Sequence, residues 1–125
     1  MLLAIDVGNT NTVLGLYRLA SEGVAAEMIA NWRITTPSRR TTDEFGMLLR
    51  NLFALKDLKM EVVDGIAISS VVPPLDSTLR QVCEIYFKVK PLLIEPGVKT
   101  GLPVLTDNPT EVGADRIVNC VAAFE

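Results

Sequence analysis

No histidine occurs among the 125 residues. Without imidazole, the chain cannot by itself assemble a Ser-His-Asp or Cys-His nucleophile, a zinc site that needs histidine, or a histidine proton shuttle. Acid–base work falls to Asp, Glu, Lys, Tyr or Cys. Cysteine is nearly as scarce. Cys83 and Cys120 stand far apart in apolar stretches, which favours buried reduced thiols over a metal site or a redox pair. A basic excess is also missing: 12 Lys and Arg against 15 Asp and Glu give a net charge of -3, so no nucleic-acid partner is expected. No apolar run approaches the roughly 18 residues that cross a bilayer, and no membrane association is expected. Met1-Leu2-Leu3 runs straight into an apolar stretch without a charged leader, so a cytoplasmic protein is expected. Two nucleotide motifs are absent as well, the G-x-x-x-x-G-K-[ST] loop and the G-x-G-x-x-G fingerprint.

What is present describes a folded α/β domain. Hydrophobic residues make up 49% and charged residues 22% of the chain, too apolar and too weakly charged for disorder. Leu2 to Ile5 is a short apolar run that predicts a strand buried on both faces, and Asp6 to Asn11 reads as a polar tip. Thr12 to Tyr17 resumes in β-branched and apolar residues and predicts the returning strand of a hairpin. Glu27 to Thr35 predicts a third strand, with Ala26, Met28, Ala30 and Trp32 alternating with more polar neighbours. The period then changes. Thr41-Thr42-Asp43-Glu44 is a capping box, and Phe45, Leu48, Leu49, Leu52 and Phe53 fall on one helical face behind it. Asp64 to Val72 predicts a buried strand stopped by Pro73-Pro74, followed by a helix with Leu75, Leu79, Val82, Cys83 and Tyr86 as its apolar stripe. Pro91 to Ile94 predicts a short strand, and Asn108-Pro109-Thr110-Glu111 opens a last helix. Right-handed crossovers then give a mixed five-stranded sheet of order 3-2-1-4-5 with helices over it.

Two stretches carry chemistry. In Asp6-Val7-Gly8-Asn9-Thr10-Asn11-Thr12, Gly8 permits close approach of backbone to a ligand, the neighbouring amides and the Asn and Thr side chains offer donors to an anion, and Asp6 is placed to hold Mg²⁺ or its water shell beside phosphates. An ordinary Asn- and Gly-rich hairpin turn has the same composition, and both readings stand on residue chemistry alone. In Glu111-Val112-Gly113-Ala114-Asp115-Arg116, Asp115 beside Arg116 offers a carboxylate for a hydroxyl proton and a guanidinium for an anionic group. Glu111, Asp115 and Asn119 also read as the solvated stripe of an amphipathic helix. Arg39-Arg40 reads mainly as a solvated lead-in to its helix, and Ser69-Ser70 equally as pocket lining or as a strand-to-helix turn.

Taken together, Asp6 to Thr12, Ile68-Ser69-Ser70-Val71-Val72-Pro73, Gly97-Val98-Lys99-Thr100-Gly101, Asp107-Asn108-Pro109 and Glu111 to Arg116 resemble the type III pantothenate kinase family along the whole chain. The resemblance implies a ribonuclease H-like lobe of the acetate and sugar kinase, Hsp70 and actin superfamily. It also implies ATP-dependent phosphorylation of pantothenate to 4'-phosphopantothenate, the first step of coenzyme A synthesis. Asp6, Gly8, Asn9, Thr10 and Asn11 match the family's first phosphate loop, with Asp6 near the metal. Asp115 matches the base that faces the pantothenate hydroxyl, and Gly113, Arg116 and the region of Gly101 match substrate contacts. Thr106 departs from the pattern, since family members often carry Tyr there. The implied cofactors are ATP, Mg²⁺ and a monovalent cation, K⁺ or NH₄⁺, and the implied assembly is a homodimer. Family members run to about twice this length. Residues 1–125 are therefore expected to form the first lobe, with the second lobe outside this chain. A non-catalytic regulatory or binding protein of the same fold, as the related Bvg accessory factors were first described, is the competing reading; the presence of both Asp6 and Asp115 argues against it.

Overall fold

The computed structural model describes residues 1–18, 27–36 and 39–94. Strands β1 (Leu2–Val7), β2 (Asn11–Arg18) and β3 (Glu27–Thr35) form an antiparallel meander. Helix α1 (Thr42–Ala54) leads by a short 3₁₀ turn, Met60–Val62, to β4 (Gly65–Ser70). Helix α2 (Pro73–Val82) then leads to the edge strand β5 (Leu92–Ile94). β4 lies parallel to β1 and β5 parallel to β4, in the expected order β3-β2-β1-β4-β5.

Alternation along the central strands sorts their side chains between two faces. Leu3, Ile5 and Val7 of β1, Leu14 and Leu16 of β2, and Ile66 and Ile68 of β4 join Phe45, Leu49 and Phe53 of α1 and Leu75, Leu79 and Val82 of α2 in one core. Leu2, Ala4, Tyr17 and Ala67 form a second cluster on the opposite face. Both faces of β1 are thus apolar, as its uninterrupted hydrophobic run requires.

Helix α1 begins at the capping box read from the sequence. The Glu44 amide donates to Thr41 Oγ1 at 3.2 Å, and the Thr41 amide donates to Glu44 Oε1 at 3.0 Å. That amide bond, then the hydroxyl contact, holds the Glu44 carboxyl below its ordinary pKa. On the buried side, Phe53 stacks on Trp32 at 5.0 Å between ring centroids and meets Phe87 edge-on at 5.6 Å. The Trp32 indole N–H donates to the Leu52 carbonyl at 3.1 Å. The aromatic group therefore joins the outer strand β3 to α1 and to the end of α2.

Four expectations shift in detail. Asp6 and Val7 belong to β1, and Asn11 opens β2, because the β1–β2 ladder runs on through the pairs Asp6↔Val13 and Val7↔Thr12. The polar tip is correspondingly shorter. Strand β4 ends at Ser70, and the two prolines open α2, where a missing N–H costs nothing. Met28 faces outward at 39% exposure because a bulge opposite Leu16/Tyr17 shifts the register of β3 by one residue. Finally, α2 continues as a π-helical turn, Cys83–Phe87. In a regular helix the row Leu79, Cys83, Phe87 drifts by about 40° per step; the wider turn offsets that drift, so Phe87 is buried and Tyr86 only half-buried. Tyr86 instead crosses Gly46 of α1 and donates to Asp43 Oδ1 at 2.6 Å, a bond that raises its pKa. Cys83 is buried and unbridged, as read, and burial followed by the Glu84 charge pushes its thiol up to about 12. Cys120 and the helix expected from Asn108 lie outside the described residues.

Three outcomes follow from this packing. Phe53→Ala is expected to lose about 3–5 kcal/mol in urea unfolding, since it removes the ring at the centre of the aromatic group. Ionised Glu44 is favoured by the fold, so its contribution is present above the ordinary glutamate pKa and lost as pH falls through the lower folded value. The gap in urea midpoint between the wild type and Glu44→Ala should therefore close on acidification. In a Cys120→Ser background, Cys83 should resist a thiol-disulfide reagent at pH 8 until the chain is unfolded.

Candidate active site

The three parallel strands end on one edge of the sheet, where ligands of open α/β sheets collect. Three features meet there: the β1–β2 hairpin, the end of β4 and the start of α2. The Val71 amide donates to the Val7 carbonyl at 3.0 Å, fastening the β4 exit to the base of the hairpin. Ser70 serves the turn into α2, its Oγ accepting from the Val72 amide at 3.0 Å. Ser69 is the register partner of Asp6 across the β1–β4 ladder, and alternation places both on the face opposite α1 and α2. Of the two serines, Ser70 therefore fits the turn reading, and Ser69 stays with the site.

The hairpin closes tightly. The Gly8 amide donates to the Asn11 carbonyl at 2.9 Å, leaving Asn9 and Thr10 exposed at the tip and Asp6, Gly8 and Asn11 half-buried beneath it. A Cβ on Gly8 would stand 3.0 Å from that carbonyl oxygen, so a larger residue would crowd the bond that closes the turn. All five residues of the expected phosphate loop lie within this one structure.

Two residues hold the tip: Thr36, missed in the sequence, and Thr12, read there as the end of the loop without a role of its own. Thr36, just beyond β3, donates its hydroxyl to the Gly8 carbonyl at 2.6 Å and its amide to the Thr10 carbonyl at 2.8 Å. Thr12 Oγ1 lies 3.0 Å from Thr36 Oγ1. Because the Thr36 hydrogen is committed to Gly8, Thr12 is the donor of that pair. Thr12 is fully buried, Thr36 nearly so. A signal for Thr12 existed: counting back by two from Leu16 and Leu14 puts its hydroxyl in the core, where it needs a partner. Thr36 had no such signal, since its role depends on β3 lying beside β2.

The second stretch, Gly113, Asp115 and Arg116, lies outside the described residues, as do Gly101 and Thr106. Arg39 and Arg40 are exposed, in keeping with a solvated lead-in. Among the described residues no group of three or more Cys, Asp or Glu gathers as a metal cage. Mg²⁺ that takes most of its ligands from phosphate and water asks for few protein carboxylates, and Asp6, a carboxylate next to the last residue of β1, is a ligand type that fits such an ion. Among the described residues no helix is long and apolar enough to cross a membrane.

The chain is similar to known proteins in sequence and in fold. The family model of type III pantothenate kinase matches residues 2–125. A type III pantothenate kinase of Koribacter versatilis is 60% identical, covering 100% of this chain and 47% of that protein. Those of Acidobacterium capsulatum and Myxococcus xanthus are 56% and 55% identical, covering 99% and 100% of this chain and 46% of each relative. The chain thus spans about half the length of the curated relatives it matches. In structure it is similar to Thermus thermophilus RuvC, with a TM-score of 0.64 at 15% identity over 98% of this chain and 93% of that one. That likeness speaks for the fold alone, a ribonuclease H-like mixed sheet. With the family model matching nearly every residue and relatives well above half identical, the chain belongs to the type III pantothenate kinase family.

Proposed function

We propose that this chain is the first lobe of a two-lobed enzyme that transfers the γ-phosphoryl group of ATP to pantothenate, giving 4'-phosphopantothenate and ADP. Family membership supports the reaction. The observation that carries the reading into the structure is the Gly8–Asn11 turn, closed beside Asp6 at the carboxyl edge of the parallel strands. In this reading the backbone N–H groups and the Asn9, Thr10 and Asn11 side chains hold the phosphates, and Asp6 holds Mg²⁺ or its water shell. When bound, Mg²⁺ would neutralise charge on the phosphates.

In-line transfer asks little covalent chemistry of the protein; it asks for alignment and a proton acceptor. Asp115 accepts the proton of the pantothenate hydroxyl as its oxygen bonds to the γ-phosphorus and the bond to the β,γ-bridging oxygen breaks. Gly113, Arg116 and the region of Gly101 contact pantothenate. A monovalent cation, K⁺ or NH₄⁺, a homodimeric assembly and a cytoplasmic location complete the proposal, and they rest on the family resemblance.

Asp115→Asn in the two-lobed enzyme is expected to lower kcat by about 10²–10⁴ with the KM for pantothenate nearly unchanged, the range for losing a general base. Asp6→Asn should instead raise the KM for Mg-ATP. Coupled ADP-release assays with each substrate varied in turn check both, and a pantothenate-only effect of Asp6→Asn would reverse the assigned roles.

A further inference from the structure

We infer that Thr36 is a positioning residue for the nucleotide site, one that orients the hairpin tip without touching the ligand; the inference rests on reading Gly8–Asn11 as the phosphate loop. Thr36 makes two bonds to the tip, and they fall on alternate peptide groups. Its hydroxyl holds the carbonyl of the Gly8–Asn9 peptide at 2.6 Å, and its amide holds the carbonyl of the Thr10–Asn11 peptide at 2.8 Å. In a planar trans peptide the N–H points opposite to the C=O. Pinning those carbonyls on Thr36 therefore turns the N–H groups of Asn9 and Asn11 away from Thr36. Donor orientation at the tip is set from behind the loop by a residue 28 positions from Gly8 in sequence.

The arrangement is also directional. Thr12 donates to Thr36 and Thr36 to Gly8, so a relay of two hydroxyls ends on a carbonyl, and each bond strengthens the next by polarisation. Thr12 and Thr36 are buried, so neither hydroxyl is readily repaid by water if its partner is lost. A tip of Asn, Thr and Gly would otherwise sample several turn geometries. An anion site works through amides oriented before the ligand arrives, because they then need no reorganisation. Thr36 supplies that order from outside the loop.

The test has two readouts. The first is amide exchange in the 125-residue chain: the Gly8 and Thr36 amides should be protected in the wild type and in Thr36→Ser, and exposed in Thr36→Val. The second is steady-state kinetics in the two-lobed enzyme. There, Thr36→Val should lower kcat/KM for Mg-ATP about ten- to hundredfold, the scale of a small misplacement of binding groups. The KM for pantothenate should stay within about twofold, and Thr36→Ser should restore most of the loss. If Thr36→Val does not fold, Thr12→Val, which removes only the first donor of the relay, should show a smaller loss of the same kind. Equal losses toward both substrates, or a Thr36→Ser as impaired as Thr36→Val, would overturn the inference. Asp6→Asn, assayed alongside, separates the two claims. If Asp6→Asn impairs Mg-ATP use and Thr36→Val does not, the positioning role alone fails. If neither does, the phosphate-loop reading fails while the exchange data still report on the clamp.

Discussion

Strand β1 is paired along its whole length on both sides, antiparallel to β2 and parallel to β4, and the rest of the fold is arranged around that double pairing. Antiparallel pairing on one side allows a tight hairpin, and parallel pairing on the other demands a helical crossover. The same strand therefore ends in a closed turn beside the exit of β4 and the entry to α2. Since both of its faces are buried, its register is fixed: a slip of one residue would send Leu3, Ile5 and Val7 to the wrong side and carry Asp6 with them. The position of the candidate metal ligand Asp6 is thus a consequence of core packing several residues away.

Much of this was legible in the sequence. The apolar run Leu2 to Ile5, the capping box at Thr41 to Glu44, and the change of period between them lead to the sheet order and to α1 with few alternatives. What escaped was long-range. The bulge that turns Met28 outward is a feature of the pairing between β2 and β3, and the π-turn ends on Phe87, whose ring meets Phe53 of another helix. Neither leaves a local pattern. The site divides in the same way. Asp6 to Asn11 stands out by composition, whereas Thr36 acquires a role only when β3 is laid against β2, and the stretch around Asp115 lies outside the described residues.

The likeness to RuvC at 15% identity sets the fold apart from the chemistry. A ribonuclease H-like sheet offers a carboxyl edge with a hairpin on it, and different families put different groups there. In this chain, the hairpin carries a glycine at which a side chain would crowd the opposing carbonyl, Asn9 and Thr10 at an exposed tip, and a buried threonine pair behind it. Those features, rather than the sheet, are what support the proposed phosphate site.

The central claim is that the Gly8–Asn11 hairpin holds the triphosphate. Titrating a non-hydrolysable ATP analogue with Mg²⁺ into the ¹⁵N-labelled protein of the proposed two lobes tests it directly through the backbone amide resonances. The account predicts saturable shifts that are largest at Asn9, Thr10 and Asn11 and much smaller with the nucleoside alone. Saturable binding of the analogue that leaves those three amides unmoved would contradict it.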